Sequence, residues 1–317
     1  MSAKNKSNVI KITRIYDAPV KTVWEAWTDP EKVAKWWGPR GFTITHHSKD
    51  LRAGGHWSYT MHGPDGVDYP NTTKYLEVDK YARLVYDHGG HEDRPPLFRV
   101  TALFTDVKGK TKLEMSMALA TPEAAEETRK FIKKAGGEGT WDRLAEFLEE
   151  ESKGKDIFIY NRSFDAPIET MWKMWTDPKH VMNWMAPTGL TGEYIRADIR
   201  PGGEAVYFMT DGKSLKMYGR ANYLELKKPE RLIYTQQFID KDENIARHPH
   251  APTWPETMKT TVTLTEEGPD CTRVTIQWEV HGEATKAERE MFHSAKAGMS
   301  QGWGGSLDKL EEYITKN

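Results

Sequence analysis

Apolar side chains recur at every second position in several stretches of the chain, such as residues 57–61, 98–104 and 113–119. A period of two indicates strands with one buried face, and this pattern is typical of antiparallel sheets. The sequences Gly-Pro-Asp-Gly at 63–66 and Lys-Gly-Lys at 108–110 predict hairpin turns between such strands. This part of the chain therefore predicts a series of about six antiparallel strands.

Other signals predict helices around these strands. Residues 9–16 are rich in β-branched side chains and predict a first strand, which Pro19 and an Asp-Pro-Glu signal at 29–31 follow. Both signals mark the first turn of a short helix, and Pro39 ends the second helix because proline cannot continue it. A long helix is predicted from Thr121 onward. The fold class is therefore α+β, with the long helix packed on the concave face of the sheet.

The whole pattern occurs twice. Residues 16–30 recur as residues 164–178, at an offset of 148. The offset grows to 160 at Thr261, the counterpart of Thr101, so the second copy carries 12 extra residues before this point. A repeat of this length indicates a duplicated domain.

The duplication predicts domains at residues 8–152 and 156–317, with a charged boundary segment near residue 153. The terminal helices correspond at an offset of 166, and each contains a glycine cluster, at 136–139 and at 302–305. An interior glycine costs a helix about 1 kcal/mol relative to alanine. Each cluster therefore indicates either close backbone packing or a bend that opens a cavity.

Motifs in both copies carry a resemblance to a known family. In the first copy they are Trp-Thr-Asp-Pro at 27–30, Trp-Trp-Gly-Pro at 36–39, Asp-Leu-Arg-Ala-Gly-Gly at 50–55 and Tyr-Leu-Glu at 75–77. These residues resemble homologues of the heat-shock-protein-90 ATPase activator, in the START/polyketide-cyclase-like (SRPBCC, helix-grip) superfamily. The resemblance covers essentially all of both copies. It implies two tandem helix-grip domains, each a curved antiparallel sheet of about seven strands around a long C-terminal helix. The family includes co-chaperone domains and antibiotic-sequestering proteins.

The composition excludes several classes of protein. The 317 residues carry a formal net charge of −2, which shows no bias toward nucleic acid or anionic membranes. No apolar run approaches the ~20 residues that span a bilayer, and residues 1–7 lack the apolar core of a secretory signal. The single cysteine, Cys271, excludes an intramolecular disulfide framework. We expect a cytoplasmic protein without nucleic-acid or membrane partners, and the internal duplication favours a monomer.

The candidate ligand-binding residues are large, partly polar side chains expected on the concave side of each sheet or at the rim of its cavity. Apolar walls with a few hydroxyls are typical of small-molecule pockets, although the same pattern also fits plain core packing. In the first copy the candidates are Trp36, Trp37, Trp57, Tyr59, Met61, Tyr75, Tyr86, Phe98, Met115 and Met117. In the second copy they are Trp184, Tyr207, Met209, Tyr223, Tyr234, Phe238, Trp278, Met291, Ala295 and Met299.

The sequence predicts no catalytic residue, metal site or cofactor. Close groups of histidine lack the Cys or carboxylate partners of a zinc site. These groups are His46 with His47, His88 with His91, and His248 with His250. No nucleophile elbow, phosphate-binding loop or dinucleotide fingerprint is present. An acid–base pair of His88 with Asp87 is disfavoured because alternation along a strand places them on opposite faces.

The extra residues of the second copy lie in a proline-rich connection at 240–255. Loops of this length are often lids or binding loops, and Trp254 stands between two prolines, where it can cover a cavity mouth. The alternative is a tolerated surface insertion. Because the second copy also has Met185 where the first has Trp37, we expect the two domains to differ in role, with the specialised pocket in the second.

Three hypotheses for function remain open. The first is a protein that binds a small apolar or aromatic molecule in one or both cavities. The second is a co-chaperone-like module that binds a protein partner and regulates a stress-response ATPase. The third is an enzyme of the cyclase or hydrolase kind, which requires an acid, a base or a nucleophile that faces the cavity.

Overall fold

A computed structural model of the chain describes residues 7–90, 95–134 and 139–316. The chain divides into two compact units, Met1–Ser152 and Lys153–Asn317. His91, Gly136 and Gly137, which the sequence analysis singled out, lie outside the described residues. Among the described residues, none of the helices is long and apolar enough to cross a membrane.

The first domain contains one antiparallel sheet with the strand order β1-β7-β6-β5-β4-β3-β2. Consecutive strands are neighbours except β1, which pairs with β7. The elements are β1 (Val9–Tyr16), α1 (Val20–Thr28), α2 (Pro30–Trp36), β2 (Thr43–Lys49), β3 (His56–His62), β4 (Asp68–Asp79), β5 (Arg83–Gly90), β6 (Phe98–Val107), β7 (Lys110–Ala118), α3 (Pro122–Lys134) and α4 (Gly139–Lys153).

The second domain repeats this arrangement, with the strand order β8-β14-β13-β12-β11-β10-β9. Its elements are β8 (Ile157–Phe164), α5 (Ile168–Thr176), α6 (Pro178–Val181), β9 (Thr191–Ala197), β10 (Glu204–Thr210), β11 (Lys216–Lys227), β12 (Arg231–Ile239), β13 (Met258–Gly268), β14 (Cys271–Val280), α7 (Lys286–Ser294) and α8 (Lys296–Lys316). The seven antiparallel strands in each sheet and the tandem α+β architecture confirm the predicted fold class.

The predicted helix starts at Pro19 and Asp29 are also confirmed. Asp29 Oδ1 accepts the backbone N–H groups of Glu31 at 2.8 Å and Lys32 at 3.2 Å, which satisfies donors that the first turn of α2 leaves free. At α7 the side chains of Thr285 and Glu288 form a capping box: each accepts the backbone N–H of the other, at 2.8 and 3.2 Å. These caps fix where the helices begin beside the sheet.

The predicted long terminal helix is present in the second domain as the 21-residue α8, and a break separates it from α7. In the second domain the break falls at Ala295, whose N–H bonds to the carbonyls of Met291 and His293. The glycine cluster lies inside the unbroken α8. A Cβ at Gly305 would come within 2.3 Å of Thr188 Oγ1, whereas one at Gly302 would meet open space. Close packing therefore explains Gly305, and Gly302 borders a cavity.

Candidate ligand-binding site

A cavity of about 660 Å³ lies inside the second domain. Its walls come from strands β9 to β12 and β14 on one side and from helices α7 and α8 on the other. Small-molecule sites typically enclose ~300–1,000 Å³. The cavity is therefore large enough to hold a ligand of a few fused or linked rings.

Most of the residues predicted for the second copy line this cavity. They are Tyr207, Met209, Tyr223, Tyr234, Phe238, Trp278, Met291, Ala295 and Met299. Trp184 does not: it is fully buried, and its indole N–H donates to the carbonyl oxygen of Met174 at 3.0 Å. Trp184 thus ties the short helices together in the core, and its prediction as a ligand contact is corrected.

Four tyrosines on adjacent strands form the sheet side of the cavity: Tyr194, Tyr207, Tyr223 and Tyr234. Their rings contact each other in pairs, at 6.3 Å between Tyr194 and Tyr207 and at 5.7 Å between Tyr223 and Tyr234. Burial raises the pKa of all four hydroxyls, that of Tyr207 to about 12. At neutral pH they are therefore uncharged groups that donate and accept hydrogen bonds.

Three tryptophans form an aromatic wall near α8. The Trp278 ring meets the Trp303 ring edge-on at 5.5 Å, and Trp303 stacks on Trp175 at 6.0 Å. The buried indole nitrogens of all three have no hydrogen-bond acceptor among the residues that the structure describes. Large rigid rings packed in this way present apolar surface and π-faces to the cavity.

The cavity wall carries little charge. Within the described part of the chain, no Asp, Glu, Lys, Arg or Cys borders the cavity. His248 does border it, and its Nδ1 accepts the backbone N–H of His250 at 3.1 Å. Burial, with a smaller effect of His250, lowers the pKa of His248, so the imidazole is neutral near pH 7. This surface suits uncharged groups and offers no carboxylate or activated thiol for the predicted enzymatic alternative.

At three positions where the first domain has a tryptophan, the second domain has a smaller residue. The pairs are Trp37 with Met185, Trp57 with Ala205, and Trp141 with Leu307. A tryptophan side chain is far larger than any of these replacements, so each change removes volume from the space between sheet and helix. Of the three replacements, Met185 borders the cavity, so the change from Trp37 to Met185 contributes directly to its open volume.

In the first domain the same tryptophans pack against one another. The Trp37 ring contacts those of Trp36, Trp57 and Trp141 at 5.4, 5.2 and 6.1 Å. Its indole N–H donates to the hydroxyl of Tyr59 at 3.1 Å, and Trp57 stacks on Tyr59 at 4.1 Å. These aromatic side chains therefore form one packed cluster in the core of the first domain.

The other residues predicted for the first copy belong to the same hydrophobic core. Tyr75, Tyr86, Met115 and Met117 are buried, and Met61 and Phe98 are partly buried against them. These side chains pack against other residues of the core. Their role as ligand contacts stays a prediction.

Sequence reasoning missed several residues that line the cavity. They include Trp303, within the glycine cluster of α8, and Tyr194, which alternates with exposed residues on β9. They also include Met185, the counterpart of Trp37 in the first copy. A complete comparison of the two copies would have revealed the Trp57 to Ala205 change. Strand alternation on β9 would have placed Tyr194 on the inner face.

Comparisons with known proteins agree with this architecture. The model of the family described as "Activator of Hsp90 ATPase homolog 1-like protein" matches residues 17–149 and 165–315. The solved structure of protein NE0264 from Nitrosomonas europaea is similar over 47% of this chain and 99% of its own, at 24% identity and a TM-score of 0.43. A protein from Arthrobacter aurescens is similar over 51% of this chain and 88% of its own, at 22% identity and a TM-score of 0.44.

A two-domain protein is also similar over most of the chain. The di-domain ARO/CYC BexL from the BE-7585A biosynthetic pathway covers 96% of this chain and 97% of its own, at 13% identity and a TM-score of 0.39. A search of the curated proteins returns no match. Because the family model matches nearly all of both domains, the chain belongs to the Activator of Hsp90 ATPase homolog 1-like protein family, as two tandem copies.

Proposed function

We propose that the second domain binds a small, uncharged molecule with an aromatic or otherwise apolar body. The observation that supports this most directly is the cavity of about 660 Å³, whose walls are aromatic and thioether side chains with a few neutral hydroxyls. Burial of apolar ligand surface contributes roughly 25 cal/mol per Å². The tyrosine hydroxyls supply the few directional hydrogen bonds that orient a ligand in such a pocket.

The absence of charged side chains from the described cavity wall supports a neutral ligand. A charged group that enters a cavity without a counter-ion loses its hydration, which costs several kcal/mol. Burial raises the pKa values of Tyr194, Tyr223 and Tyr234, and the same loss of hydration would oppose an anionic group on a ligand. We therefore favour neutral ligands that carry carbonyl or hydroxyl oxygen over acids of the same shape.

A pair of fluorescent probes tests this proposal. N-phenyl-1-naphthylamine is uncharged, and its sulfonated analogue ANS has the same rings with one fixed negative charge. We expect saturable binding of the neutral probe at one site per chain, and binding of ANS that is weaker by at least roughly tenfold. Equal affinity for the two probes, or a linear rise of fluorescence without saturation, would contradict the proposal.

Native mass spectrometry identifies a natural ligand, if one is retained through purification. The intact mass under native conditions is compared with the mass after denaturation. We expect the released species to be an uncharged compound of a few rings, because the cavity volume and its neutral wall select for that class. Release of an acid that binds at one site per chain would contradict the assignment of a neutral ligand.

A further inference from the structure

The inserted segment, residues 240–257 between β12 and β13, borders both the cavity and an adjacent pocket of about 380 Å³. His248 and Trp254 border the cavity. Arg247 and Pro249, which flank His248 in the chain, border the adjacent pocket. The segment therefore contributes residues to both spaces, which also share Met217, Tyr218 and Phe238 of the sheet.

The first half of this inserted segment is fixed to the sheet. The Glu243 carboxylate accepts from Arg196 of β9 at 2.7 Å, and Arg220 of β11 donates to the Glu243 backbone oxygen at 3.1 Å. An antiparallel β-bridge pairs Ile245 of the segment with Ile239, the last residue of β12. The base of the segment therefore moves with the sheet.

The second half crosses to helix α7 and is held there by one guanidinium. Arg247 Nη1 donates to Glu288 Oε1 at 2.6 Å and to the backbone oxygen of Trp254 at 2.8 Å. The other carboxylate oxygen of Glu288 belongs to the capping box with Thr285. The ring of Trp254 lies 6.4 Å from that of Phe292 on α7. Arg247 thus connects two parts of the segment, at Arg247 and Trp254, and connects the segment to helix α7.

We infer that the inserted segment is the gate of the ligand cavity and that the Arg247–Glu288 ion pair is its latch. This inference rests on ligand binding in the cavity, as proposed above. The Arg247 side chain is 41% exposed and that of Glu288 is 11% exposed, so the pair opens when Arg247 turns toward solvent while Glu288 stays in its capping box. The segment then pivots on its base at Glu243, and the cavity joins the adjacent pocket. A bound ligand leaves, and a free ligand enters, through this opening.

The Arg247–Glu288 ion pair is closed in both the free and the ligand-bound protein. It therefore affects the rate constants of ligand binding more than it affects the Kd. If it is weakened, the open fraction rises, and the rate constants for association and dissociation rise in the same proportion. Glu288→Gln is the informative change, because glutamine serves at this position of a capping box but carries no charge for Arg247. Stopped-flow measurement with N-phenyl-1-naphthylamine gives both rate constants.

For Glu288→Gln we expect both rate constants to rise roughly three- to tenfold, with the Kd changed by less than about twofold. Hydrogen exchange of residues 246–257 should accelerate as well. Arg247→Met is the second variant, and thermal unfolding establishes that each variant is folded. Arg231→Met is the matched control, because Arg231 forms a similar ion pair with Glu225 at 2.7 Å and is 44% exposed, but lies outside the segment.

Different failures of the experiment have different meanings. Unchanged rate constants in folded Glu288→Gln would overturn the gate, as would a rise in dissociation alone, which would make Arg247 a support of the bound ligand. Equal acceleration in Arg231→Met would also overturn it. If the unmodified protein shows no saturable binding of the neutral probe, the proposed function fails instead.

Discussion

The phenol ring of Tyr207 lies directly over Gly219 of the neighbouring strand. The two residues are register partners in strands β10 and β11, and a Cβ at Gly219 would come within 2.5 Å of the ring carbon Cζ. Any larger residue at position 219 would occupy the place of this ring. Gly219 therefore keeps Tyr207 folded against the sheet and leaves the centre of the cavity open.

Gly219→Ala should reduce ligand binding more than it reduces stability. The new methyl group pushes the end of the Tyr207 side chain into the cavity. Because this side chain can change its rotamer, we expect the free energy of unfolding to fall by about 1 kcal/mol, at the low end for overpacking. Affinity for the neutral probe should fall at least roughly fivefold, since part of the cavity volume is lost. Urea unfolding and probe titration measure the two effects.

Gly298→Ala is the control for this change. Gly298 lies in α8 and borders the same cavity, but a Cβ there meets nothing within 4 Å. Alanine should therefore stabilise the helix by up to about 1 kcal/mol and leave probe binding nearly unchanged. Equal loss of binding in both variants would show that Tyr207 is not the group that Gly219 positions.

Acid should weaken ligand binding through His248. Its folded-state pKa lies below the ordinary 6.5, so its contribution to stability is complete above about pH 6.5 and is lost as pH falls through the lowered value. A ligand disfavours the charged imidazole further, so probe affinity should fall over the same interval. Protonation at Nδ1 also removes the acceptor for the His250 N–H.

Titration of the neutral probe from about pH 8 to about pH 5 measures this effect. His248→Gln has no group that titrates there, and its affinity should stay nearly constant. If the variant retains the pH dependence of the unmodified protein, another group is responsible.

Lys309 should stabilise the loop that forms one wall of the cavity. Its Nζ donates to the backbone oxygens of Ala186 at 2.6 Å and Leu190 at 3.2 Å, and Pro187 between them lines the cavity. Arg143 makes the equivalent contacts in the first domain. Lys309→Met leaves the two carbonyls unpaired, and we expect a loss of about 1–3 kcal/mol in the free energy of unfolding.

Lys309→Arg provides the comparison, because arginine performs this role in the first domain. It should lose less than about 1 kcal/mol, since the guanidinium donates to the same type of carbonyl group. Urea unfolding of the full chain measures both variants. Similar stability of Lys309→Met and the unmodified protein would show that solvent replaces the lost hydrogen bonds.

The sequence predicted the sheets and helix starts because local chemistry determines them. Alternation in residues such as those of β7 defines which face is buried, and the Asp29 carboxylate can cap only the helix that follows it. The duplication added strong support, since two copies of one pattern are independent examples of the same fold. The break at Ala295 could not be predicted, because neither proline nor glycine stands at that position.

The cavity itself was only partly predictable. Alternation places Tyr207 and Tyr234 on the inner face, but the open volume depends on how side chains that are distant in the sequence pack together in space. Trp184 and Trp303 look alike in the sequence, and both are buried. Only the fold shows that the Trp184 indole N–H donates to the backbone oxygen of Met174, whereas Trp303 borders the cavity.

The most direct test of the account is to fill the cavity with the residue that the first domain carries. Met185 borders the cavity at the position of Trp37, so Met185→Trp should occupy ligand space, whereas Met185→Leu conserves volume. Titration with N-phenyl-1-naphthylamine should show at least roughly tenfold weaker binding for folded Met185→Trp and nearly unchanged binding for Met185→Leu. Undiminished affinity in Met185→Trp would contradict the account, because the probe would then bind outside this cavity.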